Sequence, residues 1–299
     1  MIEVDQSLSF NRALVEKYDR PGPRYTSYPT APQFHQAFAL DDYHAAAQAS
    51  NQAAAPKALS LYIHIPFCKS LCYYCACNKI ITQKTHRAVE YLNYLKREIA
   101  MQAALFDPGR KLRQLHLGGG TPTYLTREQL AELMDCLHQA FNLDDSDEHE
   151  FSIEVDPRTI STEQIEHLRQ LGFNRLSFGV QDFDPDVQAA VNRQQSEEQI
   201  YALVAAARAA QFKSVSVDLI YGLPLQTVAS LQKTCEIVAA MLPDRIACYG
   251  YAHIPRMKAN QRRIDGSTLP GVEERIDQAG IIAEEFLRRG YQKIGIDHF

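Results

Sequence analysis

Short apolar segments rich in β-branched residues alternate along the chain with longer segments in which apolar residues recur every three or four positions. The first pattern predicts buried strands, and the second predicts helices that pack one face on a sheet. Seven strands are predicted, at LSLYIHI (59–65), RQLHL (113–117), EFSIEVD (150–156), RLSFGVQ (175–181), SVSVDLIYG (214–222), RIACYGYAHI (245–254) and QKIGID (292–297). The helices between them are predicted at about 87–105, 126–141, 161–171, 197–211, 228–241 and 271–289.

The regular alternation of strand and helix determines the fold class that we expect. Strands separated by helices at this spacing are parallel and joined by right-handed crossovers. Six or seven such units fit a full or partial (β/α) barrel better than a dinucleotide-binding fold. We therefore predict an α/β fold, a partial (β/α) barrel with parallel strands. The segment AAAQASNQAAAPK (45–57) is typical of a helix end and a linker, so we place an N-terminal extension at residues 1–57 and the barrel at 58–299.

Polar and glycine-rich segments lie at or directly after the ends of the predicted strands. They are HIPFCKSLCYYCACNK (64–79), GGGTP (118–122), EVDPR (154–158), GVQDF (179–183), YGLPLQT (221–227) and YAHIP (251–255). The carboxyl ends of parallel strands meet at one end of a barrel, where barrel enzymes place their active sites. The sequence therefore predicts an active site built from these segments.

The composition is that of a globular protein, with 45% hydrophobic and 22% charged residues. The net charge of −5 gives no general electrostatic reason to bind nucleic acid or an anionic membrane. The N-terminus has no basic segment followed by an apolar one, and no run of about 18 uncharged apolar residues occurs. We therefore predict a cytoplasmic monomer that has neither nucleic acid nor a membrane as a partner.

The cysteines are distributed unevenly. Four of the seven have the spacing C-x3-C-x2-C-x-C, namely Cys68, Cys72, Cys75 and Cys77. In a reducing cytosol such a group is more typical of a metal or redox site than of disulfides. The other three are isolated in apolar segments and are predicted to be buried packing residues, namely Cys136, Cys235 and Cys248.

Three kinds of site compete for the clustered cysteines. A structural zinc site usually draws its ligands from two pairs that lie about a dozen or more residues apart, and disulfides are disfavoured by the compartment. An iron–sulfur cluster takes its thiolates from short, closely spaced runs on loops. If only Cys68, Cys72 and Cys75 bind a [4Fe–4S] cluster, one iron has no protein ligand and can bind a small molecule. We favour the cluster, and zinc remains the alternative.

The spacing C-x3-C-x2-C on a loop after the first barrel strand is the signature of the radical SAM enzymes, which this chain resembles. The resemblance implies a barrel of the radical SAM type, with a [4Fe–4S] cluster on Cys68, Cys72 and Cys75. It also implies that S-adenosylmethionine binds the open iron and is cleaved by one electron to methionine and a 5′-deoxyadenosyl radical. The glycines of GGGTP (118–122) allow a backbone to approach such a ligand, although a tight turn is the alternative.

The resemblance narrows to the oxygen-independent coproporphyrinogen III oxidases and runs from about residue 10 to residue 299. The stretches that carry it are GPRYTSYPTA (22–31), LYIHIPFCKSLCYYCACNK (61–79), LHLGGGTPTYL (115–125), SIEVDPR (152–158), GFNRLS (172–177), GVQDF (179–183), VNR (191–193), VDLIYGLPLQT (217–227), YAHIP (251–255) and DHF (297–299). It implies oxidative decarboxylation of two propionates of coproporphyrinogen III to vinyl groups, which gives protoporphyrinogen IX in haem biosynthesis. It also implies a low-potential electron donor, such as a flavodoxin or ferredoxin, as a partner.

The same resemblance implies a set of cofactor-binding residues. Tyr62 and Glu154 would contact the cluster-bound S-adenosylmethionine, with Gly119 at its amino end. A second S-adenosylmethionine is implied nearby, at Tyr74, Gly120, Thr121, Gln181, Arg193, Asp218 and Ala252. Cys77 is shared with the family without being a ligand. No catalytic side chain is assigned, because the radical cofactor carries the chemistry.

A substrate with four propionates needs cationic partners. Four basic residues lie just beyond the sixth predicted strand, and the extension adds an arginine and a tyrosine: Arg256, Lys258, Arg262, Arg263, Arg24 and Tyr25. A solvated basic surface is the alternative for the loop. Two interpretations also stay open for three further residues, which either lie near the cluster or substrate or are packing residues: His64, Asp297 and His298.

Two alternatives to an active oxidase stay open. The chain ends at GIDHF, whereas the oxidases that it resembles continue into a helical domain, so we expect that domain to be absent. An inactive truncated fragment is therefore one alternative. The other is a haem chaperone of a related radical SAM group, which shares the barrel and the three cluster cysteines. That group typically lacks the fourth cysteine and the segment RYTSYP (24–29).

Overall fold

The computed structural model describes residues 11–19 and 30–299. The strands of the described residues are β1 (Leu59–Ile65), β2 (Phe67–Cys68), β3 (Ile80–Ile81), β4 (Lys111–Gly119), β5 (Asn142–Leu143), β6 (Glu150–Val155), β7 (Arg175–Gln181), β8 (Ser214–Tyr221) and β9 (Arg245–Gly250). Their α-helices are α1 (Arg12–Tyr18), α2 (Leu40–Asn51), α3 (His86–Ala103), α4 (Arg127–Ala140), α5 (Thr162–Gln170), α6 (Pro185–Ala190), α7 (Glu197–Ala209), α8 (Val228–Ala240) and α9 (Val272–Arg288). β1 and β7 have the predicted bounds, whereas β9 stops before its predicted end at residue 254.

Six of the strands form one parallel sheet in the order β1-β4-β6-β7-β8-β9. The order in space follows the order along the chain, and every neighbouring pair is parallel. β5 adds to the start of β4, and β2 pairs with β3 outside the main sheet. Within the described residues, the two outer strands β1 and β9 do not pair with each other. The predicted α/β fold is therefore confirmed, and the sheet is open between β1 and β9 as in a partial barrel.

The two faces of the sheet differ in polarity, because successive residues of a strand point to opposite sides. On β7, Leu176, Phe178 and Val180 are buried in the apolar core that the sheet shares with the helices. Arg175 and Ser177 point to the other side, where they line a cavity of about 580 Å³. Serine, glutamine, histidine, glutamate and arginine side chains supply most of the rest of this lining. A polar interior of this size suits a ligand better than it suits core packing.

The helices on the outer face begin and pack as their sequences indicate. At the start of α4, Thr126 accepts the backbone N–H of Gln129, and the Gln129 side chain accepts the N–H of Thr126. One stripe of α4 is buried, namely Leu130, Leu133, Met134 and Leu137. Cys136 lies off this stripe and is half-buried, so its prediction as a buried residue is wrong, whereas Cys235 and Cys248 are buried as predicted. No helix in the described ranges is both long and apolar enough to cross a membrane.

The described part of the N-terminal extension packs on the outside of the barrel. Helix α1 lies against α9, where Arg12 forms ion pairs with Glu273 and Asp277. Arg275 of α9 pairs in turn with Asp19 at 2.6 Å. Solvent screens exposed pairs of this kind, so they hold α1 only weakly. The division of the chain after residue 57 stays a prediction.

The seventh predicted strand, at 292–297, is wrong. Ile294 and Ile296 are 67% and 80% exposed, so this segment buries too little apolar surface to join the sheet as a strand. Only its last residue, Asp297, and the two residues after it reach the sheet. Phe299 exchanges two backbone hydrogen bonds of 2.9 Å with Ile246, and the contact runs antiparallel to β9.

Candidate functional site

The cysteine-rich segment forms a loop over the carboxyl ends of the strands, and we call residues 66–79 the cysteine loop. It follows β1 directly, and its first residues form the short strand β2. The loop and the ends of β4, β6, β7 and β8 enclose a pocket of about 210 Å³. The cysteines that line this pocket are Cys68, Cys72, Cys75 and Cys77. The loop therefore lies at the end of the barrel where the sequence predicts the active site.

A close approach of two backbones places the GGGTP segment against the cysteine loop. The N–H of Gly120 donates to the carbonyl of Ile65 at 2.8 Å. A Cβ on Gly120 would lie 2.6 Å from the carbonyl oxygen of Pro66, so only glycine fits at this position. Gly119 has a φ of +121°, which L side chains rarely adopt. These two glycines are therefore required by the local geometry itself.

Two arginines donate to the sulfur of Cys72. Arg158 Nη2 lies 3.4 Å and Arg193 Nη1 lies 3.3 Å from its Sγ. Both guanidinium groups also pair with the Asp156 carboxylate, at 2.7 and 3.3 Å. Burial acts to raise the pKa of Asp156, but the Arg193 charge and the Arg158 hydrogen bonds outweigh it and hold the pKa below its usual value. Cationic donors around a sulfur stabilise the thiolate, which is the form that binds metals.

The acidity of the other cysteines differs from one to the next. A hydrogen bond from Cys77 lowers the pKa of Cys75 to about 6; burial opposes this, and the nearby Lys79 charge adds to it. The same hydrogen bond, together with burial, raises the pKa of Cys77. Burial raises the pKa of Cys68, and a hydrogen bond with Thr121 at 3.4 Å partly offsets this. The lowered pKa of Cys75 favours its thiolate, which is the form that binds metals.

Glu154 lies between the pocket and the barrel cavity. Its Oε2 accepts the backbone N–H of Gly119 at 3.0 Å, and its Oε1 lies 3.3 Å from His116 Nε2. His116 Nδ1 lies 2.6 Å from Ser152 Oγ on the neighbouring strand. The Tyr62 ring stacks on His116 with 5.7 Å between the centroids. The result is an oriented carboxylate beside an aromatic face, a combination that can bind the hydroxyl, amino and ring groups of a ligand.

The arrangement of ligands distinguishes between zinc and an iron–sulfur cluster. Among residues 11–19 and 30–299, no three His, Cys, Asp or Glu side chains converge on a point that one metal ion could occupy. A structural zinc site needs four ligands around one ion. In an iron–sulfur cluster, by contrast, each thiolate binds its own iron of a larger group. The cysteines share one pocket without converging on a point, and this fits a cluster better than a single zinc ion.

Comparison with known proteins agrees with this geometry. The family model described as "Radical SAM superfamily" matches residues 62–238, which is more than half of the chain. The chain belongs to the radical SAM superfamily. Membership implies a [4Fe–4S] cluster and S-adenosylmethionine as cofactors, and the cysteine loop and its pocket fit both.

Curated relatives of this radical SAM protein include oxygen-independent coproporphyrinogen III oxidases. The chain is 48% identical over 297 residues to that of Escherichia coli K12 and 46% identical over 293 residues to that of Pseudomonas aeruginosa. Each match covers 98% of the chain but 63% of the relative, so the chain spans less than two thirds of their length. A solved structure of coproporphyrinogen III oxidase from E. coli, described as a radical SAM enzyme, matches with a TM-score of 0.88 and 46% identity, over 97% of this chain and 64% of that one.

Most of the predicted cofactor residues surround the radical SAM pocket. Those that line it with the cysteines are Tyr74, Gly119, Gly120, Thr121, Glu154, Gln181, Arg193 and Asp218. Tyr62 instead lines the adjoining barrel cavity and is 55% exposed. Ala252 is exposed and lines neither space, and its carbonyl accepts a hydrogen bond from Gln261. The roles of the individual residues stay predictions.

The basic loop after β9 lies beside the cysteine loop. The guanidinium group of Arg263 stands over the ring of Tyr73, 5.3 Å from its centroid. Arg262 is exposed. Arg263 therefore contacts the cysteine loop and both cations are accessible, although propionate binding by them stays a prediction. Arg24 and Tyr25, which were predicted to assist, lie outside the described residues.

His64 orients two parts of the site. Its Nδ1 lies 2.9 Å from the Tyr62 hydroxyl, and its Nε2 lies 2.8 Å from the carbonyl oxygen of Asn78. Since a carbonyl only accepts, Nε2 carries the proton and Nδ1 accepts from Tyr62. His64 thus connects a predicted cofactor-binding tyrosine to the end of the cysteine loop. His298, by contrast, contacts Tyr249 on β9 at 3.4 Å.

Sequence reasoning missed five residues that contact the site, namely His116, Asp156, Arg158, Asn260 and Gln261. His116 could have been found by counting back in steps of two from the glycine segment along the inner face of β4. Asp156 and Arg158 stand inside EVDPR, which was predicted to help build the site, but only Glu154 of this segment was given a role. Asn260 had no local signal, because its hydrogen bond to Tyr73 joins residues 187 positions apart.

The surroundings of Asp218 shift the pKa of its carboxyl group well away from the ordinary value. Its two carboxylate oxygens each lie 3.1 Å from the Ser177 hydroxyl in the wall of the pocket. Burial raises its pKa to about 7; the Ser177 hydrogen bond opposes this shift, and the charge of Glu154 adds to it. The pKa in the folded chain therefore lies above that of an unfolded aspartate, which is about 4. The stabilisation that its protonated form provides is complete below about pH 4 and is lost by about pH 7.

We expect the substitution Asp218→Asn to remove this pH dependence. The free energy of unfolding of the variant relative to the parent should rise by about 1–3 kcal/mol between pH 5 and pH 8, because asparagine keeps the shape without the charge. Urea denaturation of the cluster-free chain across this range measures the difference. Asp244→Asn, in a partly exposed pair with Arg208, serves as the control. A difference that does not change with pH would contradict the raised pKa of Asp218.

Proposed function

We propose that the chain forms the radical SAM part of an oxygen-independent coproporphyrinogen III oxidase. The reaction is the oxidative decarboxylation of two propionates of coproporphyrinogen III to vinyl groups, which gives protoporphyrinogen IX in haem biosynthesis. The observation that carries the proposal is the match to enzymes of this name, with 48% identity across 98% of the chain and a TM-score of 0.88. Because the chain spans only 63% of such relatives, the substrate and partners belong to the proposal.

Cys68, Cys72 and Cys75 hold the cluster in this proposal. Their common pocket supports this, as do the two guanidinium groups that donate to the Cys72 sulfur. When bound, the cluster and S-adenosylmethionine supply a primary carbon radical, which can remove an unactivated hydrogen that no side-chain base can remove. Arg158 and Arg193 offset the negative charge of the thiolates.

Two S-adenosylmethionine molecules are part of the proposal, because two propionates react. The pocket of about 210 Å³ and the cavity of about 580 Å³ adjoin, and Glu154, Ser177 and Asp218 line both. The two carboxylates can accept hydrogen bonds from amino and hydroxyl groups of the cofactor. Tyr62, Gly119 and Glu154 bind the first molecule, and the second is bound by Tyr74, Gly120, Thr121, Gln181, Arg193, Asp218 and Ala252.

The substrate carboxylates bind the exposed cations of the loop after β9, namely Arg262 and Arg263, of which Arg263 contacts Tyr73 of the cysteine loop. Charge-assisted hydrogen bonds from guanidinium to carboxylate are the strong kind that anchors such groups. A low-potential flavodoxin or ferredoxin supplies the electrons. For each propionate, one hydrogen atom would be removed from the carbon β to the carboxylate, which is the carbon bonded to the ring. Loss of carbon dioxide, and of one electron to an electron acceptor, would then leave the vinyl group.

A chimera tests the proposed function. Residues 1–299 replace the matched part of the E. coli relative, and the rest of that protein is kept. After anaerobic cluster reconstitution, the chimera is incubated with coproporphyrinogen III, S-adenosylmethionine and a strong reductant. We expect protoporphyrinogen IX together with about two 5′-deoxyadenosine per product. The variant Glu154→Gln should keep its iron and lose at least about tenfold in product formation, because its side chain no longer offers a full carboxylate to the cofactor.

Two outcomes would contradict this function. In the first, the chimera binds the cluster and cleaves S-adenosylmethionine but leaves coproporphyrinogen III unchanged. In the second, the chimera transfers bound haem to an acceptor without cleaving S-adenosylmethionine, which would favour the chaperone alternative.

A further inference from the structure

The loop that follows β9 reaches across the mouth of the barrel and contacts the cysteine loop through two side-chain amides. Asn260 Nδ2 donates to the carbonyl oxygens of Tyr73 and Cys75, both at 2.9 Å. Gln261 Nε2 donates to the carbonyl of Tyr74 at 2.8 Å. Two neighbouring residues of one loop therefore bind three consecutive carbonyls of another.

Both polar atoms of the Gln261 side-chain amide form hydrogen bonds. Gln261 is fully buried, its Nε2 also donates to the carbonyl of Ala252 at 3.1 Å, and its Oε1 accepts the N–H of Ile254 at 2.6 Å. Because a backbone N–H needs an acceptor, the amide has one orientation, with its NH₂ group toward the cysteine loop. The short 3₁₀ helix Ala259–Arg263 holds Asn260 and Gln261 side by side.

The carbonyls of the cysteine loop need donors of this kind. Residues 72–75 are neither helix nor strand, and a buried carbonyl without a donor costs free energy. Other parts of the loop are held from a different side. The N–H of Tyr73 donates to the carbonyl of Val191 at 2.9 Å, and Asn192 Nδ2 donates to the carbonyl of Leu71 at 2.7 Å. Hydrogen bonds thus hold the cysteine loop from two sides, by the segment after α6 and by the segment after β9.

We propose that Asn260 and Gln261 are positioning residues for the cluster. They fix the backbone between Cys72 and Cys75 and so set the separation and direction of these two thiolates. The proposal requires the cluster, which membership of the family implies, and it does not depend on which substrate the protein uses. The two amides also join opposite sides of an open sheet, because the cysteine loop follows β1 and the second loop follows β9.

Substitutions of the same shape test this assignment. Asn260→Asp and Gln261→Glu replace the donor NH₂ by an oxygen that repels the carbonyls. We expect backbone amides of the cysteine loop to exchange with deuterium about tenfold faster in both variants, because these hydrogen bonds no longer oppose local opening. After reconstitution, both should lose iron to a chelator about tenfold faster. Their reduced cluster should give a mixture of electron paramagnetic resonance signals with S-adenosylmethionine, where the parent gives one.

Gln278→Glu is the matched control. Gln278 is as buried as Gln261, accepts the N–H of Gly222 at 3.0 Å and donates to the carbonyl of Gln226 at 2.9 Å, so its hydrogen bonds go to the loop after β8. We expect it to lower stability without changing the exchange of the cysteine loop, the iron loss or the spectrum.

Asn260→Ala removes the donors without adding a charge and should reproduce the effects of Asn260→Asp. If Gln261→Glu does not fold, the two Asn260 variants are sufficient to test the proposal. The proposal is overturned if the Asn260 variants keep parental exchange and iron loss, or if Gln278→Glu changes both as much as they do.

Discussion

Replacement of Cys72 by alanine is expected to abolish the iron–sulfur cluster of this chain. Only three thiolates of the pocket are predicted ligands, so the loss of one leaves a second iron without a protein ligand. Cys72 is also the cysteine whose sulfur both Arg158 and Arg193 contact, so the substitution removes the partner of two cations. After anaerobic reconstitution, iron and acid-labile sulfide should fall from about four of each per chain to below about one.

Two cysteine variants are the controls for this experiment. Cys77→Ala should keep more than about half of the iron and sulfide, because Cys77 is not a predicted ligand. Cys136→Ala, on the outside of the barrel, should keep all of both. A Cys72→Ala chain with the iron and sulfide content of the parent would refute the three-thiolate site.

The second large effect is expected from Arg193→Met. Arg193 is buried, donates to the carbonyl of Gly179 at 2.6 Å and pairs with Asp156 at 3.3 Å. Methionine fills similar space but leaves that carbonyl without this donor and leaves Asp156 with one cation fewer. We expect a loss of about 2–4 kcal/mol, because the carbonyl of Gly179 loses its donor and Asp156 keeps only its pair with Arg158. Urea denaturation of the cluster-free chain measures the loss without any contribution from the cluster.

The matched control for Arg193 is another arginine with a single acidic partner. Arg208 pairs with Asp244 at 2.6 Å, but both side chains are more than a third exposed. Arg208→Met should therefore lower the free energy of unfolding by no more than about 1 kcal/mol. Arg193→Lys, which keeps the charge but not the forked donor geometry, should fall between the two. Equal losses for Arg193→Met and Arg208→Met would contradict the structural role of the buried arginine.

The strands were predictable where burial is one-sided and the chain turns sharply. β7 has its predicted bounds because its apolar residues alternate strictly along its whole length. β8 ends at Tyr221, one residue before its predicted end, because Gly222 has a φ of +81° and leaves the extended conformation. The segment 292–297 shows the limit of this reasoning. Its isoleucines have the spacing of a strand, but nothing in the local pattern indicates whether the sheet offers a surface to cover them.

The parts of the site that lie at strand ends or in the cysteine segment were predictable from the sequence. Parallel strands bring GGGTP and EVDPR to the cysteine loop, because all their carboxyl ends meet at one side. The supporting contacts were not predictable from the same pattern. Asn260 stands in a stretch of basic residues, and its partners lie at the other end of the barrel sequence. Contacts between distant loops have no periodicity, so a single sequence gives no sign of them.

The antiparallel contact at β9 limits how the sheet can be extended. The outward-facing backbone groups of Ile246 and Cys248 are already bonded to residues 297–299, which run in the opposite direction. A further strand parallel to β9 cannot pair with this side of β9 without displacing residues 297–299. Within the described residues, the parallel sheet therefore runs over six strands from β1 to β9 and is bordered at β9 by this antiparallel segment.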